Sequence, residues 1–290
     1  KHRTDADGID QQEPPFYDPI LSPLGRARVL HQEDFASRTV VSSRSAESTD
    51  AIRIATMDEY NGSKWSVRSE FRSTDRRIGG TSEPGVVRSE VTIGEFASAF
   101  VPSPSNPVEV RGVEGLRFDA VTATLRSDTG VAPGDTYTVY SSRAMGLDES
   151  MLSVSQPASD ERGRQALADI SIENVSSAGV LDAWIERNAP TTLPPSFRLS
   201  AIATYLTDPA NRVDERVPSP GASLSSVLAM LALSGDGALV ATESQFATLF
   251  CVLADSAGFP CRLVVGFRNS NGEVPKGKVE FRGTDVHVWP

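Results

Sequence analysis

One stretch of this sequence constrains the fold more than any other: the apolar run that begins at Thr242 and is bracketed at both ends. Thr242-Glu243-Ser244-Gln245 is a capping box, with Thr at the N-cap and Gln at N3, and the residues on to Ser256 are strongly apolar. Gly258 stops the run at the C′ position and Pro260 forbids its continuation. A helix this apolar has to be enclosed by other elements. Its neighbours supply them. Arg262-Leu263-Val264-Val265-Gly266-Phe267 reads as a buried strand, and Val279-Glu280-Phe281 follows a polar loop with Asn271-Gly272. Asp285-Val286-His287-Val288-Trp289 alternates as a further strand.

Upstream, three more helices are expected. Val175, Val180, Leu181, Trp184 and Ile185 share one face. Pro194-Pro195 opens the next, with Leu199, Ile202, Ala203 and Leu206 recurring at three and four residues and Pro209 ending it. Ser223 opens the third, with Leu224, Val227, Leu228 and Leu231 on one side.

The first half of the chain reads differently. The opening through Pro14, Pro15, Pro19 and Pro23 is turn-rich and predicted extended. Short alternating runs follow at roughly ten-residue spacing without helices between them: Ile52–Ala55, Val87–Ile93, Val108–Val113, Ala120–Leu125 and Thr136–Val139. Asn61-Gly62, between Tyr60 and Trp65, is a hairpin signal because both residues accept positive φ. The expected organisation is a polar segment over 1–12, a β-rich sandwich or barrel over 13–145, a Ser-, Asp- and Arg-rich linker over 146–168, and an α+β domain over 169–290.

Composition excludes several functions. The 38 acidic and 28 basic residues leave a net charge of −10 and a pI near 4.9, so the surface repels phosphate backbones and no nucleic-acid partner is expected. No stretch approaches the roughly 18–20 apolar residues of a membrane-spanning helix. Lys1 to Gln12 lack an apolar h-region, so no signal peptide is expected; Pro290 directly follows a strand-like run, so the chain reads as a piece of something longer. There is no Walker loop, GxGxxG, HExxH or GxSxG, the three histidines are scattered, and two cysteines are too few for a zinc site. No cofactor or metal is implied.

The grammar of the tail, a capped apolar helix with Gln245-Phe246-Ala247, then Gly258-Phe259-Pro260-Cys261-Arg262, Val265-Gly266-Phe267 and Asp285-Val286-His287-Val288-Trp289, resembles the transglutaminase-like core of the papain-type cysteine enzymes over roughly residues 169–290. Ser22-Pro23-Leu24, Ala55 to Gly62 and Trp65 are similar to the external region of large actinobacterial multi-spanning transglutaminase-like membrane proteins. The resemblance implies a domain on the extracytoplasmic face of the cell membrane, anchored outside this stretch, with its transglutaminase-like part truncated at Pro290.

In such a site a Cys at the first helical turn has its thiolate stabilised by unpaired N–H groups and the helix dipole. A His on a neighbouring strand takes the proton and an Asp orients the ring. Reactive members carry the Cys three residues before the Phe of Gln-Phe-Ala. Here that position is Glu243, and the Gly usual two residues earlier is Ala241. The orienting Asp would fall after Pro290. A carboxylate is a far weaker nucleophile toward amides, and it would hold His287 as an imidazolium. Ser244 lies about 100° further round the helix, and Cys251 about 12 Å along it.

Two readings of Glu243 stand side by side: an acidic first-turn residue worth a few tenths of a kcal/mol against the dipole, or the partner of His287 in an ion pair that preserves the old site. Asp285 and Trp289 would sit at the rim of the groove between helix and strand; a solvated strand-end charge and a packing residue are their plainer readings. Cys251 and Cys261 each lie about 10 Å from Gly258, one along the helix and one along the strand, so they come level; a disulfide and two separate thiols both remain open.

Three functions are consistent with this sequence. The first is a domain without its nucleophile that binds a peptide, protein or cell-wall ligand at the envelope. The second is an amidase, peptidase or transglutaminase relative acting through Glu243 and His287. In the third the β domain makes the contacts and the helical part supports it.

Overall fold

The structure is a computed structural model that describes residues 22–49, 51–67, 70–74, 77–78, 85–142, 178–215, 222–234, 237–269 and 276–290. The opening prolines before Pro23, the linker over 146–168 and the Asn271-Gly272 loop lie outside the described residues.

The first described element is a helix. Ser22 accepts from the Gly25 N–H at 3.1 Å and Pro23 stands at N1, so α1 runs Pro23–Leu30 where extended chain is expected from the prolines; a Ser-Pro pair is a helix start as readily as a turn. A one-turn helix, α2 (Glu33–Ala36), follows. The helices expected in the second half are all present: α3 (Ala178–Asn188), α4 (Pro195–Leu206), α5 (Leu224–Ser234) and α6 (Glu243–Ser256).

α6 is capped as its sequence requires. Thr242 accepts from the Gln245 N–H and Gln245 returns a carbonyl oxygen to the Thr242 N–H at 3.1 Å. At the other end Gly258 takes φ +88°, its N–H bonds the Asp255 carbonyl at 2.8 Å, and the Phe259 N–H bonds the Ala254 carbonyl at 2.9 Å: a Schellman closure. Arg198 on α4 donates to the Ala189 and Ala257 carbonyls, tying the ends of α3 and α6 to α4.

The strands that matter for the site are β1 (Thr39–Ser45), β2 (Ala51–Met57), β3 (Glu59–Tyr60), β4 (Trp65–Ser66), β6 (Val86–Ile93), β8 (Pro107–Arg111), β11 (Thr136–Ser142), β12 (Arg212–Val213), β13 (Val240–Ala241), β14 (Leu263–Arg268), β15 (Gly277–Arg282) and β16 (Val286–Trp289). β5 (Arg72–Ser73), β9 (Leu116–Phe118), β10 (Leu125–Val131) and β7 (Ser98–Phe100) form a separate four-stranded sheet in that order. The alternation over Ala120–Leu125 is mostly a turn rather than a strand, because Asp119 accepts the N–H groups of Val121 and Thr122 and pulls the chain round.

Two sheets join the halves of the sequence. One has the order β15-β1-β6-β11-β8, with Thr39 opposite Arg282; the other has the order β16-β14-β2, with Leu263 opposite Met57. The core follows the same path. Phe267 on β14 packs edge-on to Phe96 at 6.2 Å and beside Phe281 at 6.0 Å. The Asn-Gly hairpin β3–β4 docks on the helices: the Trp65 indole donates to Thr248 of α6 at 2.9 Å, the Tyr60 hydroxyl to the Ala222 carbonyl, and the Gly62 carbonyl accepts the Leu224 N–H.

Candidate active site

Position 243 is the first residue of α6, where helix N–H groups lack intrahelical partners and the dipole favours an anion. β16 lies beside β14, with His287 opposite Gly266, and contacts α6. Gly266 has no room for a side chain: a Cβ there would stand 2.4 Å from the Ile52 carbonyl oxygen and 3.0 Å from the Trp289 ring. That absence lets β2 and Trp289 close on β14 and seats β16.

The two site residues meet. Glu243 Oε1 lies 2.7 Å from His287 Nδ1, and Oε2 accepts the Val288 N–H at 3.0 Å. Both side chains are about three-quarters buried, so the pair is shielded from bulk screening. Contact with the Glu243 carboxylate raises the pKa of His287 above its usual 6.5, against the opposing effects of burial and of Arg268. The ring is therefore held as an imidazolium to higher pH than a free histidine.

A second carboxylate completes the arrangement, and sequence reading missed it. Glu215 accepts the backbone N–H of Glu243 at 2.7 Å. β12 and β13 pair in parallel, Val213 opposite Ala241, so two residues further along each strand Glu215 comes level with Glu243. Nothing local in the sequence marks a pairing two residues long. The N–H it occupies is a first-turn donor of the kind that steadies an oxyanion in acyl transfer.

Asp285 and Trp289, expected at the rim of the groove, make contacts of their own. Asp285 belongs to a 3₁₀ turn over Gly283–Asp285, where its carboxylate accepts the Arg282 N–H at 2.7 Å. The Trp289 ring packs beside Gly266 and carries the Arg268 guanidinium 5.3 Å from its centroid. Ser244 turns its hydroxyl to Thr242 at 3.0 Å. Cys251 and Cys261, both buried, form a disulfide with Cα atoms 5.1 Å apart. No thiol stands beside the imidazole.

Two hollows flank the pair. One, of about 460 Å³, is walled by Leu206, Val213, Phe246 and Phe250; the other, of about 240 Å³, by Leu24, Arg28, His31 and Glu215. Glu243 and Val288 line both, so residue 243 stands between an apolar compartment and one of mixed character.

These features define the class. A helix whose N-terminus faces a strand histidine across an antiparallel sheet is the transglutaminase-like arrangement, and residues 184–290 match the transglutaminase-like superfamily. Residues 28–145 match the TgpA N-terminal domain, so the chain joins the two kinds of domain in that order. The crystal structure of the periplasmic domain of TgpA from Pseudomonas aeruginosa is similar with a TM-score of 0.62 at 15% identity, covering 91% of this chain and 85% of that one. The same domain bound to ethylmercury gives 0.60 at 14% identity, covering 94% and 90%. At such identities the likeness is one of fold. No curated protein matches the chain.

Proposed function

We propose that this chain is the extracytoplasmic part of a membrane protein whose transglutaminase-like domain has lost its nucleophile and acts by binding rather than turnover, holding a peptide, protein or cell-wall ligand at the cell envelope. One observation carries the reading: both oxygens of Glu243, the residue at the nucleophile position, are engaged, one by the His287 ring and one by the Val288 N–H. A carboxylate so held cannot attack an amide, and an imidazolium cannot accept a proton. The capping of the Glu243 N–H by Glu215 supports it further, since a carboxylate at that N–H repels a developing oxyanion. The likeness to a periplasmic domain supports the location. Among the described residues no helix is long and apolar enough to cross a membrane.

The test is hydroxamate formation from a blocked glutaminyl peptide and hydroxylamine. The wild-type chain is expected to form none, while Glu243→Cys is expected to gain a thiol that iodoacetamide alkylates rapidly at neutral pH. Wild-type turnover that disappears in Glu243→Gln would overturn the proposal and establish a carboxylate-dependent enzyme.

A further inference from the structure

Among the described residues, Arg53 on β2 is a cation without a counter-charge. Its backbone pairs with Ser103, but its side-chain Nε and Nη2 are buried with no hydrogen-bond partner. Burial lowers its pKa, and the one charged group that adds appreciably to the effect is another cation, Arg262. Arg262 commits only its Nη1, to the Val121 carbonyl at 3.0 Å. Both arginines line a cavity of about 440 Å³ whose walls include Leu199, Phe250, Phe259, Thr56 and Pro290.

Burying two guanidinium nitrogens without partners is unfavourable, and a second like charge at the same cavity adds to the cost. An anion in the cavity would cancel both penalties. We infer that the cavity is a binding site for a small organic carboxylate, its head between Arg53 and Arg262 and its apolar body against Leu199, Phe250 and Phe259. A planar carboxylate matches the guanidinium fork. The volume is that of a small-molecule site. The apolar walls favour an acid with a hydrophobic body over an inorganic anion, which would leave them wet. A C-terminal aromatic or aliphatic residue of a peptide, or an N-acylated amino acid, has this chemistry. The cavity shares Phe250 and Pro290 with the larger hollow beside Glu243 but is lined by neither member of the Glu243–His287 pair, so the inference does not depend on the function proposed above.

The experiment is isothermal titration of the 290-residue chain with N-acetylphenylalanine, its uncharged amide and inorganic phosphate, in wild type, Arg53→Gln and Arg262→Gln. The acid is expected to bind saturably and the amide and phosphate far more weakly, and each variant is expected to weaken the acid by about tenfold or more. Arg53→Gln is also expected to melt no lower than wild type without ligand, because it removes an unpaired buried charge. Should Arg53→Gln misfold, Arg262→Gln, whose side chain is partly exposed, carries the test alone. Absence of binding, equal binding of acid and amide, phosphate binding as tightly as the acid, or binding unchanged in the variants would overturn the inference.

Discussion

On the proposed reading, a glutamate at residue 243 in place of a nucleophile alters one side chain and with it the purpose of its neighbours. A thiolate at N1 of α6 would use the helix dipole to stay ionised and the histidine to shed its proton; a carboxylate is ionised without help and turns the histidine into its counter-ion. This has a measurable signature. Contact with Glu243 raises the folded-state pKa of His287 above 6.5, its usual value in an unfolded chain. The stabilisation from the pair is therefore complete below about pH 6.5 and is lost as pH climbs through the raised folded value. Melting temperatures over a pH series are expected to fall across that window in wild type more steeply than in Glu243→Gln; parallel curves would show that the contact contributes nothing. The pairing of Glu243 with His287 was legible because a motif spaces the two residues and the helix and strand assignments bring them face to face. Glu215 was not, since only a two-residue parallel pairing carries it to the helix terminus. Asp285 was legible as a residue but not as a turn cap, because alternation with Val286 and His287 extends the strand pattern one residue too far.

Among the elements, α6 is specified most locally, by a cap at each end and an apolar body between, and sequence and structure agree on it almost residue for residue. Elements named by weaker signals shifted. Pro23 starts α1 where the run of earlier prolines suggests extended chain, and the Ala120–Leu125 alternation gives way to the turn that Asp119 holds. Agreement is best where the local signal is hydrogen-bonded chemistry and worst where it is period alone. The disulfide belongs to this scale too. It joins the C-terminal half of α6 to the start of β14 across the Schellman turn, closing a loop of ten residues. Spacing allowed Cys251 and Cys261 to meet; the side-chain directions that decide it come from packing on α6. Chain-entropy reasoning gives about 2–3 kcal/mol for a loop of that length. Urea unfolding of Cys251→Ala/Cys261→Ala, compared with the oxidised wild type, is expected to show a loss of that order with the m-value little changed; equal midpoints would mean that the turn is held by its caps alone.

For the molecule as a whole, the consequential feature is that strands cross the line that composition draws. The change from β-rich to helical sequence suggests two units in series, yet among the described residues β15 has β1 as its only sheet neighbour and β14 lies between β16 and β2. These partners stand at opposite ends of the chain, and neither the period of a strand nor its flanking turns names its partner. The aromatic packing is divided in the same way: Phe96 comes from the first half, Phe267 and Phe281 from the second, and Trp65 reaches across to Thr248 on α6. Expressed alone, residues 169–290 would carry β15 without a partner, a β14–β16 pair whose β14 edge is newly open, and a core face missing Phe96. An open strand edge beside exposed aromatics invites aggregation rather than folding. The isolated segment is therefore expected to give no cooperative thermal transition, and co-expression with residues 1–168 is expected to restore one. A sharp transition for 169–290 alone, at the temperature of the intact chain, would show that the helices and β14–β16 suffice and that the cross-chain pairings decorate a domain already complete. The first result would instead make the N-terminal strands part of the platform that seats His287 opposite Glu243, because β2 supports β14 and β14 supports β16.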